Sequence, residues 1–327
     1  MSVFTHRIPF KPFEYPEILQ FRDAIHQSIW TFREYSFISD IQDYYTKATP
    51  LEQKVLRNTI LAISQIEVEV KKFWAKLGDR FPKAEFDQVS AAFADSEARH
   101  AAAYSELLEK LHLNEEFRTL KDKPCIQGRL DYLGKYMQNL QVHDDIHRKK
   151  FSSTLTLFSI FIEFVSLFSQ FAIIRSFNKF RKMFKDIDTV IQSTQKEEEI
   201  HAKFGMWLVN QIRNEFPEWF DSEFETNIHN SCRKALQAEI GVLDWIFEDG
   251  ELDYITKNEL IEFMKDRFNK SLKMIGLSEI FNVDQDILNS TEWFYERAMA
   301  EVETDFFHKR PPLYAKNVQS FTEEDLF

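Results

Sequence analysis

Four stretches of this chain repeat apolar residues at helical spacing, and each places an ionisable side chain where the repeat calls for Leu or Phe. From about Ala84 to Leu111, strong helix formers run on with no Pro or Gly between them, which predicts one long helix. Its apolar stripe is Phe86, Val89, Phe93, Leu107 and Leu111, and Glu97, His100 and Tyr104 fall on that stripe. Leu51 to Gly78 predicts another helix, opened by Thr49-Pro50 and closed by the glycine. Glu67 lies on its stripe of Leu56, Ile60, Ile63, Val70 and Trp74, while Glu69 shares a solvated face with Gln65, Lys72 and Lys76. Leu155 to Ile174 is apolar all round apart from Glu163. Asp186 to Gln211 turns Ile187, Val190 or Ile191, Thr194, Gly205 and Leu208 inward, with Glu198 and His201 on the same line and Glu199 off it.

The rest of the chain predicts supporting elements. Residues 1–20 read as an irregular arm rich in Pro and Phe, and residues 21–308 as a single helical domain. Within it, Phe21 to Ser36 is weakly helical and contains Trp30, and further helices span Gln127 to Lys150, Glu218 to Glu248 and Thr256 to Ile275. Residues 309–327 carry Pro311-Pro312 and an acidic run ending in Leu-Phe, the pattern of a mobile tail. Leu155 to Ile174 is long enough to cross a bilayer. Its central carboxylate, its Ser and Gln residues and the lack of a second such stretch favour the buried centre of a helical bundle.

Composition narrows the class. Only 7 Gly and 9 Pro in 327 residues leave few turn signals, and 33 Phe supply a large core, so the expected fold is all-α with long helices. A formal net charge of -12 disfavours binding to nucleic acid. Cys125 and Cys232 are too few and too far apart for a disulfide framework, and no basic-then-apolar export signal opens the chain. The expected location is the cytoplasm, with no membrane span.

A carboxylate or imidazole that faces a core must be paired or bound to metal. Four helices here supply Glu67, Glu97 with His100, Glu163, and Glu198 with His201. The order is a lone acid, a Glu-x-x-His pair, a lone acid and a second pair, which is a duplicated helical hairpin. One Glu-x-x-His alone is an ordinary solvated pair. Two of them, each preceded by a lone acid in an apolar helix, form the inward-facing donor set of a di-metal carboxylate bundle. Such ligands accept Fe/Fe, Mn/Mn or Mn/Fe. Asp144-Asp145-Ile146-His147 offers a third such spacing, but Arg148, Lys149 and Lys150 beside it predict a solvated helix end.

These residues resemble the small, radical-generating subunit of class I ribonucleotide reductase. Tyr104 stands four residues after the first ligand His, the place of that family's radical tyrosine. Ala238 to Gly250, with Glu239, Trp245, Phe247 and Asp249, resembles the family's Glu…Trp…Phe-x-Asp-Gly helix end. Thr304 to Arg310, followed by Tyr314, resembles the approach to its interface tyrosine, and Ser320 to Phe327 its C-terminal docking peptide. Trp30 lies at about the family's distance before the first ligand. The similarity runs from Trp30 to the C-terminus.

The resemblance implies a ferritin-like bundle with a four-helix di-metal core and additional helices. It implies ribonucleoside-diphosphate reduction, carried out with a separate large subunit to which the C-terminal tail docks. Glu67, Glu97, His100, Glu163, Glu198 and His201 would ligate two transition-metal ions, activated by an oxygen species. The oxidant would rest on Tyr104 or on the metals, and pass through Trp30 and Tyr314, with His100 and Glu197 linking metal to Trp30. Glu67 stands where many tyrosyl-radical members have Asp, and Glu occurs there in subclasses with a manganese-containing oxidant. Glu197 likewise stands where Asp is usual. A homodimer is expected, with a flavodoxin-like activase if manganese is used. The alternatives are a stand-alone di-metal oxidase or oxygenase on the same fold, and iron storage. Crosslinking oxidases similar to this family carry Tyr five residues before the third carboxylate, where this chain has Phe158.

Overall fold

The computed structural model describes residues 2–136 and 141–295, apart from the side chains at positions 69–72, 132, 135 and 136. The described residues contain helices and one isolated bridge, Leu252 to Ile255, and no strand. In chain order the helices are α1 (Leu19–Gln27), α2 (Ile38–Thr46), α3 (Pro50–Ala75), α4 (Leu77–Arg80), α5 (Ala84–Lys110), α6 (Asn114–Thr119) and α7 (Pro124–Tyr136). Then come α8 (Asp145–Leu157), α9 (Leu167–Ser176), α10 (Lys185–Glu215), α11 (Ser222–Ile246), α12 (Lys257–Met274) and α13 (Gln285–Asn289). A π-helical segment, Phe158–Ser166, joins α8 to α9 without a break, and a second, Phe177–Arg181, follows α9.

Local chemistry explains where the long helices start. Thr49 caps α3 in a reciprocal box with Glu52, with Pro50 in the first turn, and Thr256 caps α12 with Glu259 in the same way. The first turn of α10 is served from a distance. Asp40 accepts from the Ile187 amide at 2.7 Å and Asp43 from the Phe184 amide at 3.2 Å, so two α2 carboxylates sit at the positive end of α10.

Three expected boundaries are corrected. Gly78 does not close the Glu67 helix, which ends at Ala75, and the glycine lies inside α4. A Cβ on Gly78 would meet the Asp87 carboxylate, so the residue serves close approach to α5. Gln127 to Lys150 is not one helix, because Asp144 starts α8 afresh by accepting from the His147 amide at 2.9 Å. The weakly helical reading of Phe21 to Ser36 fails at Trp30, which sits in the connector after α1.

The core runs through the whole bundle. Leu155 to Ile174 lies inside it, and the most apolar window of the Asp145–Arg181 helix is 94 % buried, as a central bundle helix should be. Arg129 on α7 is buried and pairs with Glu239 on α11 at 2.5 and 3.0 Å, while donating to the Ala62 carbonyl of α3 at 3.0 Å. The first residues do not dangle. Val3 and Phe4 are buried, and Glu85 of α5 accepts from the amides of Glu14 and Tyr15.

Candidate metal centre

The helical stripes bring six ionisable side chains to one point. Glu67 from α3, Glu97 and His100 from α5, Glu163 from the π-helical segment, and Glu198 and His201 from α10 are each at most 1 % exposed. Glu198, not the half-buried Glu199, faces inward, as its place on the stripe predicts. Ligand atoms of Glu67, Glu97 and His100 lie within 4.8 Å of one another, and so do those of Glu97, Glu163, Glu198 and His201. Glu97 belongs to both groups. Glu198 also reaches both imidazoles, with Oε1 3.0 Å from His100 Nδ1 and Oε2 3.3 Å from His201 Nδ1.

Four carboxylates and two imidazoles without cations would be a costly set to bury. Both oxygens of Glu67, and Oε2 of Glu163, have no hydrogen-bond partner. Two divalent ions would neutralise four carboxylates and complete those lone pairs. The donor set therefore fits a pair of first-row metal ions, held by mixed carboxylate and imidazole ligands.

Burial or mutual contact favours the protonated forms of four of these groups. Burial raises the Glu67 and Glu163 carboxyls well above the usual range, and neighbouring carboxylates add to it. Burial opposes protonation of His100 and His201. The carboxylates facing them override it, Glu197 and Glu198 at His100 and Glu163, Glu198 and Glu97 at His201, and both imidazoles lie well above their ordinary value. Glu198 is held well below the carboxylate range despite its burial, because Glu163, His100 and His201 bond to it.

Each imidazole turns Nδ1 to the cluster and Nε2 outward, but the outer partners differ. His100 Nε2 is 2.8 Å from Glu197 Oε2, which also accepts from Trp30 Nε1 at 3.1 Å. Arg99 Nη1 donates to Glu197 at 2.9 and 3.2 Å, and Ser28 Oγ at 3.0 Å. Despite its burial, Glu197 therefore sits below the usual carboxylate range. His201 Nε2 meets only a neutral group among these contacts, Ser96 Oγ at 2.9 Å, and the Phe93 ring lies 4.2 Å away.

Tyr104 is 1 % exposed, one turn beyond His100, and its hydroxyl has no partner of good hydrogen-bonding geometry, with Thr194 beside it. Burial, then the negative charge of Glu67, keeps that phenol protonated well above its normal range. Trp30 lies 6.1 Å from the His100 ring, nearly parallel to it. Tyr314 and residues 309–327 lie outside the described residues. At the third carboxylate-x-x-His, Asp144 pairs with the exposed His143 and the half-buried His147 at a helix start, in keeping with a solvated helix end.

Four residues around the centre went unassigned in the sequence: Ser28, Arg99, Ser96 and Trp74. Trp74 Nε1 donates to Glu163 Oε1 at 2.9 Å. Its position two turns after Glu67, on the same face, was the available signal.

Fold and donor set together define a di-metal carboxylate protein of the ferritin-like type. The sequence pattern of the family described as "Ribonucleotide reductase, small chain" matches residues 7–287, and the chain belongs to that family. A probable ribonucleoside-diphosphate reductase small subunit of Invertebrate iridescent virus 3 is 26 % identical, over 97 % of this chain and 86 % of the relative. The fold is also that of the dimanganese(II) NrdF of Streptococcus sanguinis, with TM-score 0.74 and 14 % identity over 88 % of this chain and 99 % of that one. An R2-like ligand-binding oxidase with a Mn/Fe cofactor gives TM-score 0.68 and 19 % identity over 82 % and 95 %.

Proposed function

We propose that this chain is the radical-generating small subunit of a ribonucleoside-diphosphate reductase, working with a separate large subunit. The observation that carries the reading is the buried cluster of six donors joined to Trp30 through His100 and Glu197. Glu67, Glu97 and His100 would hold one ion, and Glu163, Glu198 and His201 the other, with Glu97 and Glu198 reaching both. The bound ions would supply one-electron oxidising chemistry after reaction with an oxygen species.

The chain's own residues then guide charge outward. Glu197 Oε2 stands ready to take the Nε1 proton when Trp30 gives up an electron, and Arg99 and Ser28 keep that carboxylate in place. The buried phenol of Tyr104 can store the oxidant only if it loses its proton together with its electron, since a lone phenolate there is disfavoured. Tyr314 would relay the hole to the large subunit, with the acidic tail docking its apolar end residues on that partner. A homodimer in the cytoplasm is part of this reading, with a flavodoxin-like activase if the ions are manganese. Phe158 stands where crosslinking oxidases carry Tyr and has no phenol oxygen to crosslink, which favours the reductase over a stand-alone oxidase.

Elemental analysis with an electron paramagnetic resonance spectrum of the activated protein is the test. Two irons with a narrow organic radical would place the oxidant on Tyr104, and a multiline manganese signal would place it on the ions. No bound transition metal would refute the reading. Tyr314→Phe should abolish reduction with the large subunit while leaving metal content intact. Full activity there would remove the proposed route.

A further inference from the structure

We propose that Trp74 restricts Glu163 to ligation through one oxygen, keeping a coordination position open at the ion held with His201. This rests on the di-metal reading above. The two lone acids are not equally free. Neither oxygen of Glu67 has a hydrogen-bond partner, so both can bind. Glu163 Oε1 accepts from the Trp74 indole at 2.9 Å, leaving Oε2, which makes no well-formed hydrogen bond and lies 3.5 Å from His201 Nδ1.

The indole cannot easily turn away. Trp74 is fully buried, with the rings of Phe93, Phe158 and Phe204 at 5.3, 5.5 and 5.8 Å. A Cβ built at Gly205 would lie 3.5 Å from the indole, an ordinary contact distance, so α10 packs close against the ring there. Chelation by both Glu163 oxygens would make Oε1 share its electron density between the ion and Nε1–H, and a buried donor with a weakened acceptor in a dry site is expensive. Trp74 is thus a positioning residue. It acts on Glu163 and touches no substrate, and the vacancy it preserves suits a small anionic or oxygen-derived ligand.

Cobalt(II) is the probe, because its visible bands are several-fold stronger in lower-coordinate sites. The unaltered chain should bind two equivalents and show one strongly absorbing ion that takes up azide. Trp74→Phe, and replacement of Trp74 by its benzothienyl analogue, which keeps the bicycle and deletes the N–H, should lose most of that intensity and bind azide several-fold more weakly. The benzothienyl protein guards against a Phe variant that fails to fold. Two equivalents bound with unchanged bands and azide affinity would overturn the role of Trp74 alone. An unaltered chain that binds no cobalt would overturn both this role and the di-metal reading beneath it.

Discussion

The two hairpins α3–α5 and α8–α10 carry the same ligand pattern and differ in what surrounds it. The residue before Glu97 is Ser96 and the residue before Glu198 is Glu197, and each backs the imidazole of the opposite hairpin. One imidazole thus leans on a neutral hydroxyl, and the other on a carboxylate tied to Arg99, Ser28 and Trp30. Four residues after each His the chain has Tyr104 in the first hairpin and Gly205 in the second. Repetition supplied two half-clusters that could each hold an ion, and among the described contacts unequal outer partners give one of them a polar route outward.

The largest expected effect removes what the halves share. Glu198→Ala should lose at least one ion per chain, because Glu198 reaches both imidazoles, whereas Glu199→Ala should lose none. Unchanged metal content in Glu198→Ala would contradict a shared carboxylate. Next comes the unequal backing. Glu197→Ser, which makes the halves alike, should weaken metal binding by roughly ten- to a hundredfold, in the range for loss of a partner to a ligating imidazole. Ser96→Ala should cost less, and a competition titration with a chelator would rank the two. Equal losses would mean that the charge on Glu197 is immaterial.

Gly205→Ala tests the second hairpin's packing. The new methyl carbon would lie 2.0 Å from Ser159 Oγ and 2.6 Å from its Cβ, so α10 and the π-helical segment must part. Overpacking of this kind costs about 1–3 kcal/mol, measurable by denaturant unfolding. Tyr104→Phe removes a hydroxyl without a well-formed hydrogen bond, so stability and metal content should hold while any tyrosyl radical signal disappears.

The smallest effect is in pH. Glu67, Glu163, His100 and His201 all have raised values, so the metal-free native state binds more protons than the unfolded chain. Their contribution falls as pH rises, from the ordinary carboxyl value of 4.5 upward for the acids and from 6.5 upward for the imidazoles. Glu198 acts oppositely, but its gain is complete above 4.5. Above pH 6.5 the metal-free protein should therefore lose stability while metal affinity climbs, with protons released on loading. Calorimetry in buffers of different ionisation enthalpy would count them, and no release would contradict protonated imidazoles.

Sequence periodicity alone picked out the six side chains that the fold buries together, because a charged group on an apolar stripe is a long-range statement about the core. Glu198 could be told from Glu199 by that argument. Ser96 and Arg99 could not, since serine and arginine on a helix are ordinary and their meaning depends on a partner helix about a hundred residues away. Gln65, expected on a solvated face, is buried, with Phe117 of α6, Leu120 just after that helix and Leu130 of α7 lining the same depression. The π-helical turn was equally silent, as an extra residue per turn leaves no mark in a segment that is apolar on every side.

The exchange of outer partners between hairpins bears on ancestry. A lone hairpin of this kind would leave its own imidazole unsupported, because the supporting residue sits on the other hairpin's helix. A single-hairpin forebear would have needed a second copy of itself to complete either site. Fusion of two such copies would free the positions of Ser96 and Glu197 to differ, a freedom that an assembly of identical chains does not have.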